Sequence, residues 1–335
     1  MRVLEVREPF GLDSLVFTTR PDPVAGPHDV VVQLHALSLN YRDHLVINGV
    51  NRWRPGGPRI PVSDGAGVVV ATGSAVTRFK QGDRVTPIFY PKWIDGQPAA
   101  AQMQGALGGA AADGLYAEYA VIDETAVVRV PSHLSDEEAA TLPCAALTAW
   151  NGVAGGTPLH EGDTVVVLGT GGVALFALQF AKLFGARTII TSSSDSKLAR
   201  ARTLGADAGI NYRTTPDWPG ALRELTDGRG ADLVVDTAGE LSKAIDAVCI
   251  GGTVAFIGLL LGMSSDIDLV KLMGSSATIR AIDVGSRAMF ESMNRTIESA
   301  KLRPVIDRTF AFGEADEAFR YLGNSAHFGK VCVRV

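Results

Sequence analysis

The sequence is poor in cysteine and shows no cysteine pattern. Its 335 residues include three cysteines, Cys144, Cys249 and Cys332, an odd number at wide spacing. This excludes a disulfide framework and a Cys-x-x-Cys metal pair, and it favours a reducing, cytoplasmic compartment. Hydrophobic residues make up 46% and charged residues 20% of the chain, so the composition is not that of a disordered protein.

The chain also lacks an excess of positive charge. Lys and Arg total 31 against 36 Asp and Glu, which gives a formal net charge of -5. A protein without a basic field does not attract nucleic acid over its surface. We therefore expect no nucleic-acid partner, and we expect any bound phosphate to be held locally.

Uninterrupted hydrophobic runs of membrane-spanning length are absent as well. Thr164–Ala181 and Ala247–Met263 carry no charge, but paired glycines interrupt both. Buried parallel strands explain such runs, because strands covered on both faces are apolar throughout. Met1–Glu8 alternates charged and apolar residues, which predicts a first strand rather than a signal peptide.

Two patterns along the chain predict two domains. From Met1 to about residue 125, short alternating segments separated by Pro and Gly are typical of an irregular β domain. Ser135 then begins a predicted helix that continues over Ala139–Trp150. After it strands and helices alternate, as in Thr164–Leu168 followed by Leu175–Leu183, which predicts a doubly wound parallel sheet.

The C-terminal part returns to the first pattern. It contains a predicted helix over Glu314–Leu322 and a final strand, Lys330–Val335, which the N-terminal β domain can accommodate. We therefore predict an α/β protein with residues 1–125 and 300–335 in one domain and residues 126–299 in the other. Lys92–Gly114 has almost no periodicity and predicts a surface loop or lid.

The segment Val165–Ala174 carries the strongest chemical signal, because it combines a strand, a glycine turn and a helix start. Gly171 allows the backbone to approach a pyrophosphate at the helix N-terminus, where N–H groups are unpaired. A glycine turn without a ligand is the alternative, but the surrounding βα units favour dinucleotide binding. The predicted cofactor contacts in this loop are Gly169, Thr170, Gly171, Gly172 and Val173.

The end of the next predicted strand indicates which dinucleotide binds. An NAD-binding protein usually has a carboxylate there, whereas this chain has Ser192 and Ser193 followed by Lys197. Hydroxyls and an ammonium suit a 2′-phosphate, so the sequence favours NADPH. Capping of the following helix by Ser194-Asp195 is the alternative explanation for this segment.

Several further motifs occur in order along the chain. They are Leu39–Asp43, Asp64–Val69, Gly82–Val85, Leu142–Trp150, Asn211-Tyr212 and His327–Val331. With these motifs, essentially the whole chain resembles the medium-chain dehydrogenase/reductase superfamily, and within it the zinc-free, quinone oxidoreductase-like branch. The resemblance implies a GroES-like irregular β-barrel catalytic domain formed by both ends of the chain. It also implies an inserted Rossmann domain, with the nicotinamide in the cleft.

The resemblance implies roles for individual residues. Asn40 would lie near the nicotinamide and the substrate, and Thr148 near the nicotinamide half of the cofactor. Lys197 and Tyr212 would lie at the 2′-phosphate. The residues expected to line the nicotinamide cleft are Gly258, Leu259 and Phe328. Packing inside the protein is the alternative for Tyr212 and Phe328.

Zinc alcohol dehydrogenases of this superfamily differ from the chain at their metal positions. They carry a cysteine at the position of Asn40 and a histidine at that of Ser63, so Cys144 alone retains a ligand. One cysteine does not hold a catalytic zinc ion. Lys92–Gly114 also contains none of the four cysteines that form their structural zinc lobe. We expect no metal of either kind.

With no ligand set for a Lewis-acid metal, the sequence favours a conjugated acceptor. Hydride transfer to a quinone or an enone places charge on a carbonyl oxygen that hydrogen-bond donors stabilise. Asn40, Tyr41 and water are candidate donors, and Tyr41 is also a candidate proton source, although a tyrosine after a β-strand more often has a packing role. The aromatic residues expected to line the substrate pocket, or to cover its edge, are Trp53, Phe89, Tyr90 and Trp93.

The sequence therefore predicts an NADPH-dependent, zinc-independent reductase of quinones or α,β-unsaturated carbonyls. An enoyl-thioester reductase is the alternative, although the catalytic Gly-x-Tyr of the mitochondrial type is replaced here by Gly49-Val50-Asn51. An NADPH-binding protein without turnover, as some lens crystallins resembling this branch show, also remains open. A predicted edge strand at Ala277–Ile282 favours a homodimer.

Overall fold

The computed structural model describes every residue from Met1 to Val335, and the chain forms two compact units. Unit 1 contains Met1–Leu147 and Val284–Val335, and unit 2 contains Thr148–Asp283. No helix combines the length and the apolar character that crossing a membrane requires.

The N-terminal part of unit 1 is mostly β-structure. Its elements are β1 (Arg2–Val6), β2 (Leu15–Thr19), β3 (Asp29–Leu39), α1 (Tyr41–Ile47), β4 (Asp64–Thr72), β5 (Arg84–Pro87), β6 (Tyr119–Asp123), β7 (Val127–Arg129) and α2 (Asp136–Ala140). Strand β3 pairs antiparallel with both β4 and β6. It is buried over most of its length, so it forms the centre of this unit.

Unit 2 alternates strands and helices. Its elements are α3 (Leu147–Ala154), β8 (Thr164–Leu168), α4 (Gly172–Leu183), β9 (Arg187–Ser192), α5 (Asp195–Thr203), β10 (Ala208–Asn211), α6 (Trp218–Leu225), β11 (Ala231–Asp236), α7 (Leu241–Ala247), β12 (Val248–Phe256), α8 (Leu269–Ser275) and β13 (Thr278–Ala281). The six strands form one sheet in the order β10-β9-β8-β11-β12-β13, and every pair is parallel. This is the Rossmann order, with its switch point between β8 and β11.

The C-terminal part completes unit 1. It consists of α9 (Arg287–Ala300), β14 (Ile306–Ala311), α10 (Ala315–Gly323) and β15 (Lys330–Arg334). Strand β15 pairs antiparallel with β3, with Val331 opposite Leu39, and β14 joins β15. The two ends of the chain therefore build one seven-stranded sheet. The predicted fold class, a GroES-like β domain plus a Rossmann domain, is confirmed.

The unit boundaries differ from those expected at residues 125 and 300. Residues 126–147 and 284–299 belong to unit 1. Strand β7 extends the sheet of unit 1 by pairing with β5, and the Nδ2 of Asn294 in α9 donates to the carbonyl of Arg129 at 2.9 Å. These long-range pairings leave no periodic signal in the sequence.

The helix predicted over Ala139–Trp150 is divided into three segments. Helix α2 ends at Ala140, a π-helical turn covers Leu142–Ala146, and α3 begins at Leu147. Pro143 lacks the N–H that a continuous α-helix needs at this point, which accounts for the interruption.

Gly67 allows β3 and β4 to approach each other, and its replacement tests the sheet. A Cβ at this position would lie 1.9 Å from the backbone oxygen of Gln33, whereas one at Gly56 would meet no atom within 4 Å. We expect Gly67→Ala to lower the free energy of unfolding by at least about 1–3 kcal/mol, because the strands must separate. Gly56→Ala is the control and should change it by less than about 0.5 kcal/mol. Denaturant unfolding measures both, and equal values for the two variants would contradict this packing.

Candidate functional site

The turn after β8 has the geometry of a dinucleotide-binding loop. Gly169 has a positive φ of 90°, and its N–H donates to the carbonyl of Thr191 at 3.1 Å. Gly171 precedes α4 and supplies no side-chain cap, so the first N–H groups of α4 keep their hydrogen-bonding capacity. A Cβ at Gly171 would meet no protein atom within 4 Å. The loop thus presents donors beside open space, as a pyrophosphate requires.

The loops after β11 and β12 continue this edge of the sheet. Asp236 ends β11, and its Oδ1 accepts the N–H groups of Ala238 at 3.0 Å and Gly239 at 2.8 Å. Burial raises the pKa of this carboxyl, and the backbone donors oppose the increase. Its Oδ2 is buried without a hydrogen-bond partner. Gly258 permits close approach of the two loops, because a Cβ there would lie 1.8 Å from the oxygen of Thr237.

The residues predicted at the 2′-phosphate lie at neighbouring strand ends. Ser192 ends β9, and its carbonyl accepts the N–H of Tyr212 at 3.1 Å, just after β10. Ser193 and Lys197 follow Ser192, at the start of α5. The Oδ1 of Asp195 accepts the Asn211 side chain at 2.8 Å. The strand end itself carries hydroxyls rather than a carboxylate. The preference for the phosphate of NADP stays a prediction.

The remaining predicted cofactor contacts are distributed over both units. Thr170 is buried in the loop and Thr148 is buried in α3, whereas Val173 and Leu259 are half-buried. Phe328 lies before β15 in unit 1 and is 2% exposed. The burial of Phe328 agrees with the packing alternative, and its role at the nicotinamide stays a prediction.

A buried polar cluster occupies one end of the sheet in unit 1. Strand β3 lies between β4 and β15, so Asn40 after β3, Asp64 at the start of β4 and Lys330 at the start of β15 are brought together. The Nζ of Lys330 donates to the carbonyl of Leu39 at 2.7 Å and to the Oδ1 of Asn40. Lys330 is 3% exposed, so its charge is held inside the protein.

Two buried carboxyl groups balance this cation. Asp64 accepts the hydroxyl of Ser63 at 2.7 Å and the N–H of Cys144 at 3.1 Å. Asp43 accepts the N–H of Asn40 at 2.8 Å and pairs with Arg42 at 3.1 Å. Burial raises the pKa of Asp43 to about 6, and Arg42 opposes that increase. Burial also raises the pKa of Asp64, against the effect of Lys330.

The two predicted catalytic residues have different environments. The Nδ2 of Asn40 is buried and has no hydrogen-bond partner. It lies close enough to Asp64 to help lower the pKa of that carboxyl, but outside hydrogen-bonding geometry. Tyr41 is 41% exposed at the start of α1, and its ring stacks on His44 with 6.2 Å between centroids. Asn40 is therefore a buried donor, and Tyr41 is accessible to solvent.

The predicted aromatic pocket is mostly enclosed. Phe89, Tyr90 and Trp93 are buried in unit 1, and the rings of Phe89 and Tyr90 are 4.7 Å apart. The guanidinium of Arg42 lies 5.0 Å from the centre of the Phe89 ring and donates to the carbonyl of Leu107 at 2.8 Å. The contact with Leu107 holds part of Lys92–Gly114, the loop predicted as a lid, against α1. Trp53 is half-buried, and the substrate role of all four aromatic residues stays a prediction.

The sequence pattern gives Lys330 no role, although it lies within a motif of the resemblance. The signal that points to Lys330 is a lysine at the first position of a mostly buried strand, because a lysine is almost never buried without partners. Its partner Asn40 is 290 positions away, so their contact cannot be read from spacing.

The donor set of this cluster does not fit a zinc ion. No group of three or more His, Cys, Asp or Glu side chains is arranged to hold a metal. At the positions compared with zinc enzymes, the Asn40 oxygen accepts from Lys330 and the Ser63 hydroxyl donates to Asp64. Burial raises the pKa of the Cys144 thiol well above its usual value.

Known families and relatives match both units. The alcohol dehydrogenase GroES-like domain matches residues 26–132, and the zinc-binding dehydrogenase model matches residues 172–299. A zinc-type alcohol dehydrogenase-like protein of Schizosaccharomyces pombe is 41% identical over 92% of this chain and 91% of its own. A quinone oxidoreductase of Pseudomonas aeruginosa is 32% identical over 88% of this chain and 87% of its own.

Solved structures share the whole architecture. A putative alcohol dehydrogenase from Sinorhizobium meliloti superimposes with a TM-score of 0.90 at 42% identity, covering 96% of this chain and 95% of that one. An NAD-dependent alcohol dehydrogenase gives a TM-score of 0.90 at 36% identity over 100% of both chains. A 2-octenoyl-CoA carboxylase reductase in complex with NADP and 2-octenoyl-CoA gives 0.86 at 27% identity, covering 99% and 87%.

Gly171 provides a direct test of the dinucleotide loop. Its φ of -79° and the open space around it mean that a methyl group is tolerated in the free protein. We expect Gly171→Ala to keep the melting temperature and to weaken NADPH binding about 10- to 100-fold, because the methyl meets the pyrophosphate. Gly274→Ala in α8, where a Cβ also meets nothing, is the control. A fluorescence titration measures both, and unchanged affinity in Gly171→Ala would contradict this binding site.

The fold, the glycine loop and the relatives agree. Both units match models of dehydrogenase domains. The relatives include a zinc-type alcohol dehydrogenase-like protein and a quinone oxidoreductase, both aligned over most of the chain, and they confirm the superfamily that the motifs of the sequence predict. The chain is an oxidoreductase that belongs to the medium-chain dehydrogenase/reductase superfamily.

Proposed function

We propose that the protein is an NADPH-dependent, zinc-independent reductase of quinones or α,β-unsaturated carbonyls. The observation that carries the proposal is the buried Nδ2 of Asn40, a donor without a hydrogen-bond partner in a cluster where zinc does not fit. The relationship to a quinone oxidoreductase supports the same class of acceptor. The three free cysteines agree with a reducing, cytoplasmic location.

The chain's residues suit a conjugated acceptor. Reduction of such a carbonyl leaves negative charge on its oxygen until a proton arrives, and a preorganised donor stabilises that charge. Asn40 supplies the donor at the end of β3, because burial removes competing water from its amide. Tyr41 is adjacent and accessible to solvent, so it or a water molecule provides the proton.

NADPH is the proposed cofactor, and the chemistry it supplies when bound is hydride donation. The loop at Gly169–Val173 holds the pyrophosphate, and Ser192, Ser193, Lys197 and Tyr212 hold the 2′-phosphate. One structural relative carries NADP and another is described as NAD-dependent, so the strand-end residues of this chain decide the choice. The absence of a carboxylate at the end of β9 supports NADPH.

Reduction of an enoyl thioester is the second candidate. The neighbour that binds 2-octenoyl-CoA has the same fold over nearly the whole of this chain. An enoyl thioester is also a conjugated carbonyl, so the Asn40 donor serves it equally well. At the Gly-x-Tyr position the chain instead has Gly49 followed by Val50 and Asn51, which favours the smaller acceptors.

Turnover with alternative acceptors tests the function. Protein freed of metal by a chelator should oxidise NADPH with a simple quinone and with an enone, and kcat/KM should be higher for NADPH than for NADH. Oxidation with an enoyl thioester alone would favour the second candidate. Stoichiometric zinc whose removal abolishes activity would contradict zinc independence. Tight NADPH binding without turnover would indicate a protein that binds NADPH but catalyses no reduction.

We also propose that the protein is a homodimer formed through β13. This strand is one of the two outer strands of its sheet, and such an edge is open to pairing. Several apolar side chains before and within α8 are exposed, including Leu261, Val270 and Met273. Pairing of the same edge from two copies would continue the sheet and cover these residues.

Charged substitutions on α8 test the dimer. Val270 and Met273 are each 80% exposed in the chain. We expect Val270→Asp combined with Met273→Asp to convert a dimer into a monomer, because buried carboxylates oppose association. Val24→Asp changes an equally exposed residue of unit 1 and should leave the dimer intact. Light scattering measures all three proteins, and a monomeric wild type would contradict the proposal.

A further inference from the structure

Lys330 has a contact that its place in the sheet does not require. Its backbone already belongs to β15, and its side chain could be apolar like those of the next three residues, which are buried. Instead its ammonium is buried and donates to Leu39 and Asn40. Burying a charge is costly unless it is fully paired, so the cluster keeps this cation at a cost in stability.

The Lys330 ammonium determines the orientation of the Asn40 side chain. An ammonium has donors and no acceptor, so only the amide oxygen of Asn40 can face it. The oxygen and the nitrogen of an amide lie on opposite sides of the same carbon, and Nδ2 is therefore directed away from Lys330. In the structure this Nδ2 is buried and has no hydrogen-bond partner. The neighbouring Asp64 accepts from Ser63 and Cys144, and the Asn40 side chain lies near enough to help lower the pKa of this carboxyl.

The same contact makes Asn40 a stronger donor. A cation on the oxygen of an amide withdraws electron density from its nitrogen, and hydrogen bonds in a chain strengthen one another. The effect is larger inside a protein than in water, because the dielectric constant is lower. Asp43 contributes by accepting the backbone N–H of Asn40, which fixes the start of α1.

We propose that Lys330 is a positioning residue whose buried ammonium orients and polarises the Asn40 amide, so that Nδ2 donates to the acceptor oxygen that becomes negative during reduction. The inference rests on the proposed function. Lys330 touches neither acceptor nor cofactor, and it acts only through Asn40. In this chain an ammonium and an amide together perform the polarisation that a metal ion performs in zinc enzymes.

A double-mutant cycle tests this relay. We expect Lys330→Met to lower kcat with an enone about 10- to 100-fold, the range for losing a hydrogen bond to a charged group, with KM and NADPH affinity nearly unchanged. We expect Asn40→Ala to lower kcat about 100- to 1,000-fold. Because Lys330 acts through Asn40, adding Lys330→Met to Asn40→Ala should cause no further loss. If the losses in kcat of the two single variants multiply in the double variant, the proposal is overturned and Lys330 has a purely structural role.

Two further variants separate charge from folding. Lys330→Arg keeps the cation and should recover part of kcat. Should Lys330→Met not fold, the charge-balanced pair Lys330→Met with Asp64→Asn replaces it in the cycle. Lys182→Met removes a lysine that pairs with Asp207 on the surface of unit 2 and is the control, with kcat unchanged. A full loss in Lys330→Arg, equal to that of Lys330→Met, would contradict the role of charge.

Binding of 4-nitrophenolate gives a readout that does not depend on turnover. Its oxygen imitates the charged oxygen of the reduced acceptor, and titration into the protein with NADP⁺ is followed by absorbance. We expect Lys330→Met and Asn40→Ala to weaken binding equally, and their combination to add nothing. If the wild type reduces no acceptor but shows this pattern, the proposed function fails and the relay stands. If the wild type does not bind the phenolate, or the effects multiply, the relay is wrong.

Discussion

The buried ammonium of Lys330 joins three chain segments that are far apart in the sequence. It lies at the start of β15, bonds to Leu39 and Asn40 at the end of β3, and acts electrostatically on Asp43 and Asp64. Without the cation, the two carboxyl groups would be buried with less compensation, which is strongly unfavourable. The placement of these polar side chains at one end of the sheet therefore depends on the same interaction.

The same interaction leaves a buried hydrogen-bond donor in a cluster whose side chains do not fit a metal ion. In unit 1 the oxygen of Asn40 accepts from Lys330, and burial raises the pKa of the Cys144 thiol. Of the Asn40 amide, the nitrogen is left without a hydrogen-bond partner. A single neutral donor stabilises a delocalised oxyanion better than it activates an unconjugated ketone, so the cluster and the proposed acceptors are consistent.

Local patterns in the sequence predict the fold well where the chemistry is local. The β8 strand, the glycine turn and α4 follow one another within Thr164–Leu183, and both strand composition and glycine conformation act over a few residues. The sequence does not reveal that β7 and α9 belong to unit 1, because this depends on their pairing with distant segments. The sequence does not predict the π-helical turn at Leu142–Ala146, because the residues around Pro143 are good helix formers. For the candidate site, Asn40 is identifiable from its motif, but the contact with Lys330 is formed only by folding.

The position of the transferred hydrogen tests the central claim most directly. NADPH deuterated at C4 of the nicotinamide is supplied to the chelator-treated protein with an enone, and the product is analysed by NMR. We expect deuterium on the β-carbon of a saturated ketone and a solvent proton on the α-carbon, because the proposed acceptor collects negative charge on its carbonyl oxygen. Deuterium on a carbinol carbon with the C=C bond retained, together with activity restored by zinc, would contradict reduction of a conjugated acceptor. That result would indicate an alcohol dehydrogenase.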